Sequence, residues 1–124
     1  ELSPEEPTHL VNRASAFHSL KDYARAEADY RRALSLRSDL GEAHFGLGLC
    51  GIAAERWADA EADFTRAIES GYTRAYLNRG ATRYQQGKLA EALADFETAA
   101  KIETDPARKK KAEENAEAMR KAME

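Results

Sequence analysis

Cysteine is nearly absent from this chain. Of its 124 residues only Cys50 carries a thiol, so no disulfide can form within it. That fits a reducing compartment, and a cytoplasmic location is the expectation. Long apolar runs are missing too. Nothing approaches the roughly 18 residues that a membrane-crossing helix needs, so no insertion into a membrane is expected. No signal peptide is visible. Because the chain begins at Glu1 and not Met, a trimmed targeting segment or a larger parent protein stays open. An excess of one charge sign is lacking as well. A net charge of −3 favours neither nucleic acid nor a membrane surface.

The motifs of catalysis and metal binding are missing in turn. His9, His18 and His44 are the only histidines, and no His-Glu-x-x-His or Cys-x-x-Cys spacing occurs, so no metal is expected. Gly46, Gly48 and Gly51 fall inside a helical stretch and not between a strand and a helix, which excludes a phosphate-binding loop. No cofactor is expected, and the chain does not read as an enzyme. Cys50 sits among apolar neighbours with no base beside it, which suits an inert buried thiol. The Arg108–Lys111 run is balanced by Glu113, Glu114 and Glu117. It reads as a solvated helix face, not a nucleic-acid site.

What is present is a repeat. Ala60-Glu61-Ala62-Asp63-Phe64-Thr65-Arg66-Ala67 echoes Ala26-Glu27-Ala28-Asp29-Tyr30-Arg31-Arg32-Ala33 and Ala92-Leu93-Ala94-Asp95-Phe96-Glu97-Thr98-Ala99. The step from Ala26 to Ala60 is 34 residues and that from Ala60 to Ala92 is 32. Such a period means stacked helical hairpins. A single domain over 1–124 is expected, with repeats at about 7–40, 41–72 and 73–105 and a closing helix at about 106–123.

Apolar spacing and end signals place seven helices. The first starts at Pro4, capped by Ser3, or near Thr8 if Pro7 breaks it, and runs to about Leu20. The others span about Tyr23–Arg37, Gly41–Ala54, Trp57–Ser70, Thr73–Gln86, Leu89–Ile102 and Pro106–Met123. Ser38-Asp39 is expected to cap the third helix, and Asp105-Pro106 to start the last. Gly71 suits a left-handed stop. Gly48 is read as a close helix–helix contact. Pairs Arg13–Asp29 and Arg79–Asp95 are expected to cross their hairpins.

Three such units resemble the tetratricopeptide repeat. Small residues stand mid-way along the first helices, at Ala14, Gly48 and Gly80. Second helices open on Tyr23, Trp57 and Leu89 and continue with Ala26/Tyr30/Ala33, Ala60/Phe64/Ala67 and Ala92/Phe96/Ala99. Phe17 fits the aromatic place that follows the small residue, whereas Gly51 and Arg83 depart from it, and only the third unit ends near a proline, Pro106. The resemblance implies an all-α, right-handed superhelix of antiparallel helix pairs. It also implies a concave groove, lined by first helices, that holds a peptide segment of another protein.

Spacing puts Val11, Ser15 and His18, then Phe45, Leu49 and Ile52, then Arg74, Leu77, Ala81 and Tyr84 on the outward faces of the first helices, with Asn78 beside them. The apolar middle is expected to face water unless covered, and such a patch points to an interaction site. Binding of an extended or helical partner segment is the principal reading, with Asn78 and Arg74 holding peptide backbone or a carboxylate. Cover by the last helix, by the N-terminal tail or by a second copy is the rival, as in a self-assembling module. Family members that grip the C-terminal carboxylate of heat-shock proteins use Lys, Asn, Asn, Lys and Arg. The matching places here hold Val11, Ser15, Gly46, Arg74 and Asn78, which argues against that activity. The Phe45–Cys50 run and the closing helix are similar to class II chaperones of type III secretion, which implies a translocator segment as an alternative partner.

Overall fold

A computed structural model of the chain describes residues 5–124. Among them are seven α-helices and no strand: α1 Pro7–Ser19, α2 Tyr23–Leu36, α3 Gly41–Ala53, α4 Trp57–Glu69, α5 Ala75–Gln85, α6 Leu89–Ile102 and α7 Pro106–Ala122. The chain divides between Tyr72 and Thr73 into two compact units. The first holds the hairpins α1–α2 and α3–α4, and the second holds the hairpin α5–α6 with α7 against α6.

The hairpin turns share one mechanism. The amide N–H groups of Asp22, Arg56 and Lys88 donate to the carbonyls of Phe17, Gly51 and Arg83, five residues back, at 2.8, 2.8 and 2.9 Å. This closes each first helix in a Schellman turn, whose penultimate residue must be left-handed. That residue is Lys21, Glu55 and Gly87, with φ of 64°, 57° and 78°. α4 stops in the same way, with Gly71 at φ 89° and Tyr72 N–H bonded to the Ala67 carbonyl at 2.9 Å.

α1 begins at Pro7, between the two expected starts, and the expected Ser3 cap and Pro4 lie outside the described residues. Asp105 accepts from the Arg108 amide at 2.9 Å and caps α7, as its place before Pro106 predicts. The cap expected of Asp39 is absent. Leu40 occupies the cap position of α3 without a side-chain bond, and Asp39 instead takes Arg37 Nε at 3.2 Å.

Small residues set the distance between helices. In the first unit, Leu10, Val11, Ala14, Ala26, Tyr30, Ala33, Ala43, Leu47 and Cys50 form one buried cluster. A methyl group added to Gly48 would stand 2.5 Å from the ring of Phe64, which is wholly buried, so the predicted close contact is there. In the second unit, Phe96 lies over Gly80 in the same manner, and Ala92, Phe96, Ala116 and Met119 join α6 to α7.

Candidate functional site

The residues expected on the first-helix faces meet different fates. In the first unit, Val11 and Phe45 are buried, at 5% and 9% exposure. Phe45 is therefore not the open apolar anchor that spacing predicts. Its ring lies 5.0 Å from that of Tyr72 and 5.6 Å from that of Phe64. The Schellman stop at Gly71 brings Tyr72 back against α3, where it also packs on Gly41. Tyr72 belongs to a linker in the sequence, and no periodic signal marks it as a cover. Leu49 and Ile52 are half-buried. Ser15 is exposed and hydrogen-bonds Tyr30, whose hydroxyl burial pushes up to about 12. His18 is half-buried, edge-on to Tyr23 at 5.3 Å.

In the second unit, Leu77 packs against the α6–α7 cluster of Ala92, Phe96, Ala116 and Met119. It is half-buried, as Leu49 and Ile52 are, with part of its surface left in solvent. Arg74 is exposed and borders a cavity of about 130 Å³ at the α6–α7 turn, beside Glu103 and Arg108. Asn78 is half-buried, and its carbonyl accepts from Thr82 Oγ1 at 2.8 Å. Ala81 is exposed, and Tyr84 keeps 48% of its surface in solvent. The partly or fully open side chains on the first-helix faces are thus Ser15, His18, Leu49 and Ile52 in one unit, and Leu77, Asn78, Ala81 and Tyr84 in the other.

Both predicted hairpin ion pairs are present. Arg13 donates through Nε and Nη2 to Asp29 at 2.7 and 2.9 Å. Arg79 does the same to Asp95 at 2.9 and 2.8 Å, and Arg83 Nη1 adds a bond at 3.0 Å. Two-point contacts of this kind orient as well as attract. The third carboxylate differs. Leu47 stands 34 residues after Arg13 and 32 before Arg79, so Asp63 faces leucine where its equivalents face arginine. Asp63 takes one bond, from Arg66 Nη1 at 3.0 Å, and burial raises its carboxyl above the usual range.

Cys50 is buried, and loss of water pushes its thiol up to about 11, which removes the thiolate at neutral pH. No group of three or more metal-ligating side chains comes together among the described residues. No helix there is long and apolar enough to cross a membrane.

Helix hairpins of similar length, each closed by the same turn and spaced by small residues under aromatic rings, define an all-α helical-repeat protein. The chain belongs to the tetratricopeptide repeat family, whose sequence patterns match residues 1–41 and 19–72, and again 73–106. Human serine/threonine-protein phosphatase 5 is 32% identical over 95 residues, 75% of this chain and 19% of that protein. Mouse RNA polymerase II-associated protein 3 is 36% identical over 105 residues, 85% of this chain and 11% of that protein. The chain thus spans a fifth or less of the length of these relatives. Among solved structures, the first such domain of Spaghetti (RPAP3) bound to the HSP90 peptide SRMEEVD superposes with a TM-score of 0.86 at 21% identity, covering 98% of this chain and 96% of that one. The Yersinia enterocolitica type III secretion translocator chaperone SycD gives 0.88 at 19% identity, covering 99% and 89%. At these identities the likeness is one of fold.

Proposed function

We propose that this chain is a non-catalytic protein-interaction module that binds a segment of a partner protein on the open face of a first helix. The observation that carries this reading is the set of side chains left open there. Leu49 and Ile52 are only half-buried, and Ala81 and Tyr84 are exposed, although all four lie on helices whose other faces are packed. Membership of the tetratricopeptide repeat family supports it. Two structural neighbours carry partner peptides, one from HSP90 and one from the translocator YopD.

The ligand we infer is an internal, partly apolar segment and not a chain terminus. At the five places where carboxylate-gripping relatives use Lys, Asn, Asn, Lys and Arg, Val11 is buried and Gly46 is covered by the ring of Tyr30. Neither can meet a carboxylate. Selection from a displayed peptide library, followed by mapping of bound peptide on backbone amide resonances, tests the reading. Shifts at Leu49 and Ile52 that are lost in Leu49→Glu, or at Ala81 and Tyr84 that are lost in Tyr84→Ala, with helicity unchanged, are the expected result. Shifts confined to α2, α4 and α6 would overturn it.

A further inference from the structure

From the cavity beneath Asp63 we infer a second binding site, one that receives an arginine side chain of a partner protein. It does not rest on the first-helix reading, because Leu47 and Leu49 are two residues apart on α3. At 100° per residue they point to opposite sides of the helix.

The molecule itself supplies the template for the ligand. Asp29, Asp63 and Asp95 occupy one place in three equivalent second helices. Two of them hold a guanidinium in a two-point grip from the facing helix. The third has Leu47 opposite, and Leu47 is too short and apolar to reach across. A cavity of about 280 Å³ lies there, bordered by Leu47, Asp59, Asp63 and Glu27.

The carboxylates of Asp63 and Glu27 are only 19% and 21% exposed, Asp59 is exposed, and Arg66, Arg56 and Arg31, which also line the cavity, are 56%, 46% and 66% exposed. Glu27 is taken up by Arg31 and Arg56. Among the described residues, Arg66 alone hydrogen-bonds Asp63, on Oδ1, while Arg31 and His44 add charge without a bond, so Oδ2 is the acceptor that remains for an incoming donor. Burial disfavours the bare carboxylate, and a guanidinium relieves this more fully than an ammonium, because its planar fork can meet both oxygens.

The test is an amide-resonance titration of the whole chain with N-acetyl-arginine-N-methylamide, and in parallel with the lysine and citrulline analogues. Saturable shifts at Gly51, Asp59, Ala62 and Asp63 with the arginine compound are expected. Binding should be roughly tenfold or more weaker for citrulline, the scale of a charged hydrogen bond. It should be lost in Asp63→Asn, which keeps the shape of the side chain. Leu47→Arg should block the site by supplying the guanidinium from within, as in the other two hairpins. Unsaturating shifts spread over all acidic residues, or equal shifts in wild type and Asp63→Asn, would overturn the inference. Since these probes carry no peptide segment, their failure leaves the first-helix reading standing, and failure of that reading leaves this one standing.

Discussion

At the scale of single residues, glycine and aspartate do the specifying. Gly48 and Gly80 lie where a methyl group would meet Phe64 and Phe96 at 2.5 and 2.7 Å, and both rings are locked in place by burial. Gly48→Ala should therefore destabilise the fold by about 1–3 kcal/mol despite the better helix propensity of alanine, as read by thermal or urea unfolding. The aspartates differ by what surrounds them. Asp95 is 4% exposed and anchors two arginines at 14% and 17% exposure, so Asp95→Asn should cost about 3 kcal/mol by leaving buried charge uncompensated. Asp29→Asn should cost clearly less, because Arg13 is 63% exposed and water can replace its partner. Asp63 runs the other way. Its folded pKa lies above the ordinary 3.8, so the ionised form penalises the folded state. That penalty is absent below pH 3.8 and is complete once the pH has risen through the folded pKa. Asp63→Asn should accordingly raise the melting temperature at pH 7, and the gain should fade as the pH drops toward 3.8.

At the scale of helices, the turn after each first helix matters more than the caps. Lys21 and Glu55 adopt the left-handed conformation that glycine takes without strain at 87. For a residue with a side chain that conformation costs about 1–2 kcal/mol, of which glycine's greater freedom in the unfolded chain returns part. Lys21→Gly and Glu55→Gly should each stabilise by about 0.5–1 kcal/mol in denaturant unfolding, and Gly87→Ala should destabilise. Gly87 marks its own turn in the sequence, but at Lys21 and Glu55 only a break in apolar spacing does, because there the left-handed residue is a matter of geometry and not of residue type. Helix ends, by contrast, are legible to within a residue or two. α6 spans Leu89–Ile102 as its apolar spacing predicts, and α7 starts on the Asp105 cap.

At the scale of the molecule, the two proposed sites lie on different faces. Leu49 is half-buried on one side of α3 while Leu47 borders the Asp63 cavity on the other. Leu49→Glu should abolish binding of selected peptides and leave the arginine titration unchanged. Asp63→Asn should do the reverse, and the double variant should combine the two losses additively, as expected of sites with no shared partner. Isothermal titration with each probe on each variant reads this out.

The repeat, the seven helices, the close contact at Gly48 and the two hairpin ion pairs were all set by residue spacing. Period, helix length and the pairing of arginine with aspartate are local properties that recur in the chain, and recurrence makes them visible. Tertiary packing alone decided which of the spaced side chains stay open. Phe45 and Leu77 share a helix period with Leu49 and Tyr84. Phe45 is covered by Tyr72 after the Gly71 stop, whereas Leu77, half-buried like Leu49, rests one side on the α6–α7 cluster. The Asp63 cavity is likewise a product of packing. A leucine in place of an arginine looks ordinary in the sequence and becomes a site only when the facing carboxylate is brought opposite to it.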